Sequence, residues 1–149
     1  FSVAGRMSAA TAATADQGSH LLNPHATISL FVCEVHVFKT LATVDNIALV
    51  RTSTIGTTPG TTVTPDIDNH FARRYAPISG AVLYLAAFAT YPTVQGPYML
   101  RANLPAAIGS GVMWIFPEPI EVPAGTGLAV VTPVAVILQP EDLTFVWEE

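Results

Sequence analysis

The sequence predicts an all-β fold: an antiparallel β-sandwich, jelly-roll-like, of about eight strands, preceded by an extended N-terminal arm. Three observations predict it. From Ile28 onward Val, Ile, Phe, Tyr and Thr gather in short runs bounded by Pro and Gly, the pattern of pleated, half-buried strands. Twelve prolines and ten glycines punctuate the chain, leaving no room for the crossover helices of a parallel α/β sheet. No run has the length and 3.6-residue period of a convincing helix.

Taken in order, residues 1–27 stand apart. "MSAATAATADQGSHLLNPHAT" is rich in Ala, Thr and Ser and lacks sustained alternation, so it reads as an arm that orders against a neighbouring subunit. Phe1, Val3, Met7, Leu21 and Leu22 are its expected apolar anchors. Residues 28–149 are then the sandwich domain. Its strands are expected near 28–39, 46–52, 79–89, 98–103, 111–116, 119–122, 127–132 and 142–148, with a shorter run at 134–138. "IEVPAGTGLAVVTP" reads as the clearest hairpin, its glycines supplying the positive φ of a tight loop. In "LTFVWEE", Leu143, Phe145 and Trp147 alternate onto one face. "AVLYLAAFA" and "VMWIF" are apolar on both faces, which implies cover on an outer face as well and points to subunit packing. There is no internal repeat.

Charge narrows the function. Half the residues are apolar and only 11% are charged, against roughly 25% in an ordinary soluble domain. The single lysine is Lys39, with arginines at 6, 51, 73, 74 and 101. A surface poor in Lys and Glu but holding Arg and aromatics resembles an interface, so a homo-oligomer or a large assembly is expected. A net charge of −5 argues against nucleic acid, which needs clustered cations. No stretch approaches the roughly 18 apolar residues of a membrane span, and the first residues lack the basic region and apolar core of a secretory signal; a soluble chain with no membrane partner is expected. Cys33 is alone and sits in "ISLFVCEVHVF", where a buried small hydrophobe is the natural reading.

Catalytic and metal chemistry find little support. Asp66, Asp68, Asn69 and His70 bring ligand atoms close together in sequence, but "DIDNHFARRYAP" lacks the glycine and terminal glutamate of a calcium loop. His20, His25, His36 and His70 show no paired ligand spacing. His36 shares a strand face with Glu34, an arrangement that suits an acid–base pair or a structural hydrogen bond. "AIGSGV" around Ser110 reads as a turn, and "GTTPGTT" lacks a phosphate-loop lysine. The expectation is no enzyme, no metal and no cofactor. Seven threonines between 52 and 64, with Pro59 and Pro65, instead describe a stiffened hydroxyl-rich loop held out for a protein partner. Thr62, Thr64, Asp66 and Asn69 would hydrogen-bond that partner, and Arg73 and Arg74 would pair with its carboxylates.

Taken together, the Ala/Thr-rich arm, "ALVRTSTIGTTPGTTVTPDIDN", "PISGAVLYLAAF", "LPAAIGSGVMWIFPEPIEVPAGTGLAVVTP" and "FVWEE" resemble a group of small β-sandwich structural proteins of tailed bacteriophages, and within it the capsid decoration, or cement, proteins. The resemblance implies a jelly-roll subunit that forms a homotrimer on the outer surface of the virion capsid. There it would bind the major capsid protein, with its arm reaching across a neighbour. Two other classes fit the same text. One is a trimeric fibre-tip domain that binds receptor or glycan through Tyr91, Tyr98 or Trp114; the other is an extracellular filament joined by arm or strand exchange.

Overall fold

The computed structural model describes residues 1–7, 10–11, 17–54, 56–57, 61–63, 80–85, 88, 90–134 and 137–149. Its strands are β1 (Ser2–Met7), β2 (Ala10–Thr11), β3 (Gln17–Leu22), β4 (Leu30–Lys39), β5 (Asp45–Thr52) and β6 (Thr61–Val63), then β7 (Val82–Leu85), β8 (Val94–Leu104), β9 (Gly111–Val122), β10 (Gly127–Thr132), β11 (Ile137–Leu138) and β12 (Glu141–Glu148). A four-stranded sheet runs β1-β12-β4-β9 and a six-stranded sheet β6-β7-β3-β10-β5-β8, with β2 and β11 paired separately. All described pairings are antiparallel. With β6 and β7 set aside, the strand order is that of a jelly roll: the chain alternates between sheets at every step except from β5 to β8.

Alternation builds the core. Leu143, Phe145 and Trp147 of β12 point inward, as their sequence spacing predicts, and meet Leu128 and Val130 of β10 and Ile47 and Leu49 of β5 between the sheets. In β4 the inward set shifts from Leu30 and Val32 to Val35 and Val37, and a bulge between Val32 and Glu34 absorbs the change of parity.

Two expectations are corrected here. The first 27 residues are not a separate arm: β1 pairs with β12, and β3 lies between β7 and β10. Val3, Met7, Leu21 and Leu22 are buried in the chain's own interior, and Phe1 stacks on Trp147 with ring centroids 5.9 Å apart. Anchors meant for another subunit are thus spent on this one, because an eight-strand sandwich closes only with both strands in place. The second correction is the hairpin at 119–132. β9 pairs with β4, whereas β10 pairs with β3 and β5, so the turn joins the two sheets instead of two neighbours. Gly125 still supplies its positive φ of 73°.

The outer face of the six-stranded sheet is covered from within. Ala48, Val50, Ala129 and Val131 form a second buried cluster, with Val94 and Tyr98 against it. Beside it, His20 meets Phe88 and Tyr91 from the long connection between β5 and β8. The both-face apolarity of these strands therefore records, at least in part, intramolecular cover.

Candidate functional site

Three places gather unusual side chains. The first is the flank of the sandwich where β8 and β9 lie at the edges of their sheets. On the outer face of β9, Met113 and Ile115 are 56% and 63% exposed, in register with His36 and Glu34 of β4. On its inner face Val112, Trp114 and Phe116 are only partly buried against the core, because no strand lies beyond them in the described sheet. Met99 and Leu100 of β8 are exposed on the same flank. Phe31 and Phe38 extend the apolar surface along the outer side of β4. The sixteen residues 102–117, from the end of β8 through the first half of β9, hold no charge.

The second place is one end of the sandwich, under the loops 40–44 and 105–110 and the segments 133–134 and 139–140. Lys39 and Glu141 are directly paired across β4 and β12, and Asp45 comes from β5 in the opposite sheet; all three are buried. Asp45 and Glu141 hydrogen-bond to each other, and burial pushes both carboxyls above their ordinary range, Glu141 to about 8. Two carboxylates in so dry a site share a proton, so the pair carries one negative charge against the Lys39 ammonium. Lys39 Nζ donates to the Pro105 carbonyl at 3.3 Å, while no donor outside the carboxyl pair reaches Asp45 Oδ2 or Glu141 Oε1. Around this end Leu41, Val44, Ile108 and Val134 are exposed. Main-chain bonds from Lys39 N to Ser110 O, Gly109 N to Lys39 O and Thr40 N to Pro140 O hold the loops.

The third is His20, fully buried with neither ring nitrogen hydrogen-bonded. Its aromatic surroundings lower its pKa to about 3 by desolvation, so the ring is neutral and packs as an aromatic side chain.

The other sequence candidates fall as follows. His36 Nε2 and Glu34 Oε2 are 2.8 Å apart and partly exposed on the outer face, in a shallow depression they line together with Ser2, Thr144 and Val146. His25 Nδ1 accepts from the Thr27 and Ile28 amides and fixes a turn. Cys33 is half-exposed at the β4 bulge, not buried as expected. Ser110 donates to the Ala107 carbonyl at 2.7 Å and serves a turn. Among the described residues no group of His, Cys, Asp and Glu has metal-site geometry. Thr62 belongs to β6, opposite Tyr84, and its side chain lies outside the description; Thr64, Asp66, Asn69, Arg73 and Arg74 lie outside the described residues altogether.

What the sequence did not single out is the Lys39–Asp45–Glu141 cluster, since only the strand register brings positions 39 and 141 together. The β9 flank did carry a signal, the charge-free run "VMWIF". Both surfaces suit binding better than bond-making: the flank is open and apolar, and the cluster is closed to solvent. Comparison with protein-family models, with curated proteins and with solved structures found no match to this chain.

Proposed function

We propose that the chain is a structural virion subunit that decorates and stabilises a phage capsid, binding the major capsid protein as an oligomer. The observation that carries this reading is the distribution of large exposed apolar side chains. They lie on an open flank (Met99, Leu100, Met113, Ile115) and a loop end (Leu41, Val44, Ile108, Val134), as in protein–protein contacts. A charge-poor jelly roll supports it, since closed two-sheet sandwiches serve repeatedly as capsid modules. Stabilisation of the head would come from modest contacts repeated by symmetry, with no residue acting catalytically.

The fibre-tip alternative gains no support from its stacking residues. Tyr91 packs on His20 and Phe88, Trp114 leans into the core, and Tyr98 lies under Arg101, 4.6 Å from the guanidinium carbon to the ring centroid.

The test is immunogold labelling of intact particles of the phage that encodes the chain, together with binding of the purified protein to undecorated heads. Label distributed over the head, with saturable binding, is the expected result. Label confined to the tail tip would transfer the protein to the fibre class, and absence from particles would remove the virion reading.

A further inference from the structure

We infer that β9 is a self-association edge, at which the chain pairs antiparallel with β9 of a second copy and joins two four-stranded sheets into one continuous sheet. The inference goes beyond the capsid reading and does not depend on it.

An edge strand leaves a row of N–H and C=O groups without ladder partners, and free monomers usually guard such an edge with charges, prolines or bulges. β9 is guarded at one end only. Pro117 and Pro119 lack donors, and the register with β4 jumps from Ile115 to Ile120, so ladder pairing is spoiled beyond 116. From Gly111 to Phe116 there is neither proline nor charge, and both faces carry large apolar side chains with Met113 and Ile115 more than half exposed.

The same strand of a second copy is the occupant that fits. Consider a twofold axis at Trp114. Val112 then faces the partner subunit's Phe116, Met113 faces the partner subunit's Ile115, and the two Trp114 side chains are neighbours across the axis. Every cross-strand pair is apolar. The nearest charge, Glu118, falls opposite the partner subunit's Ser110, so no like charges meet although each chain carries a net −5. On the outer face, the row Glu34, Ile115, Met113, His36 follows from the β4 register, its last two members coming from the partner. An apolar stripe is thereby enclosed between a carboxylate and an imidazole, the polar rim over an apolar centre that stable interfaces show. Each copy has one such edge, and a twofold contact satisfies both at once, so the contact closes at two copies and does not propagate.

The experiment is native mass by light scattering over a hundredfold concentration range, on the whole chain and on Met113→Lys, Ile115→Lys and Ala4→Lys. Ala4 is exposed on β1, the opposite edge of the same sheet, and controls for charge alone. Expected is a pair that either β9 lysine weakens at least tenfold and that Ala4→Lys leaves intact. Exposure of both β9 side chains keeps the fold in the variants, and circular dichroism checks it. In a Cys33→Ser background, Met113→Cys mixed with Ile115→Cys should form a mixed disulfide under mild oxidation faster than either variant alone. A monomer throughout, a pair indifferent to both lysines, or a trimer would each overturn the inference. A trimer would do so while leaving the capsid reading standing, because the threefold state implied by the phage resemblance needs a different contact.

Discussion

Stability should peak in a window of mildly acidic pH and fall on both sides, because two buried groups titrate in opposite senses. His20 has a folded pKa lowered from 6.5 to about 3. A depressed pKa contributes stability that is complete above 6.5 and is lost as pH falls toward 3. Glu141 has a folded pKa raised from 4.5 to about 8, and the opposite holds: its contribution is complete below 4.5 and is lost as pH rises toward 8. Each is worth about 1.4 kcal/mol per pH unit inside its window. Between 4.5 and 6.5 the two slopes cancel and a plateau results. The remaining 1.5 units on each side, down to about 3 and up to about 8, give shoulders on the order of 2 kcal/mol each. Asp45, whose carboxyl burial also raises from 3.8, contributes with the same sign as Glu141, losing stability as pH rises above that value. The assay is urea unfolding at fixed protein concentration from pH 3 to 9, since any self-association makes stability depend on concentration. Glu141→Gln should abolish the alkaline shoulder and, with the opposing slope gone, extend the acid slope of His20 up to about pH 6.5. His20→Leu should abolish the acid shoulder, turn the plateau into a continuous decline from about pH 4.5 to about 8, and raise stability near pH 4.5, because it removes two unpaired ring nitrogens from an apolar nest. Equal stability at pH 5.5 and 8.5, or an alkaline shoulder that survives Glu141→Gln, would refute the shared-proton account of the cluster.

Deleting residues 1–27 should abolish cooperative unfolding, since it removes β1 and the central strand β3; retention of a sharp thermal transition would reinstate the segment as an exchangeable arm. Leu21→Ala, at a fully buried core position, should cost roughly 2–5 kcal/mol in the same urea assay. Gly127→Ala should be destabilising by more than a surface change, for its Cβ would stand 2.6 Å from Leu22 Cδ2, 2.7 Å from Thr52 Oγ1 and 2.9 Å from Leu21 O. Arg6→Ala, which breaks an exposed pair with Asp142, should change stability by less than about 1 kcal/mol.

How far the sequence spoke depended on what each residue was selected for. Where a strand needs only to alternate apolar and polar side chains, the text was legible: β4, β5, β10 and β12 lie within a few residues of their expected positions. β3 was not, and its composition explains why. Gly18 sits where a Cβ would fall 2.0 Å from the Val130 carbonyl, and His20 fills an aromatic nest. Residues chosen for close approach and for an unusual pocket read, in one dimension, as a weak loop. The false hairpin at 119–132 has a related cause: alternation and a glycine turn specify two strands and a reversal, but they do not say which sheet the second strand joins, and jelly-roll closure depends on that choice.

The scarcity of charge was the hardest signal to apportion, because one composition serves two ends. Part of it belongs to Ala48, Val50, Ala129 and Val131, outward-facing positions buried within the chain, and these need no partner. Met113 and Ile115 are of the same chemical kind yet stand open, and the difference lies in topology: in the described sheets β5 and β10 have a strand on both sides, whereas β9 has one on one side alone. A run such as "VMWIF" predicts burial on both faces wherever it lies. Only its place in the sheet decides whether the chain can supply that burial itself, and at the edge it cannot. The native mass of Ile115→Lys beside that of the unmodified chain is therefore the measurement that separates charge scarcity as an internal economy from charge scarcity as an interface.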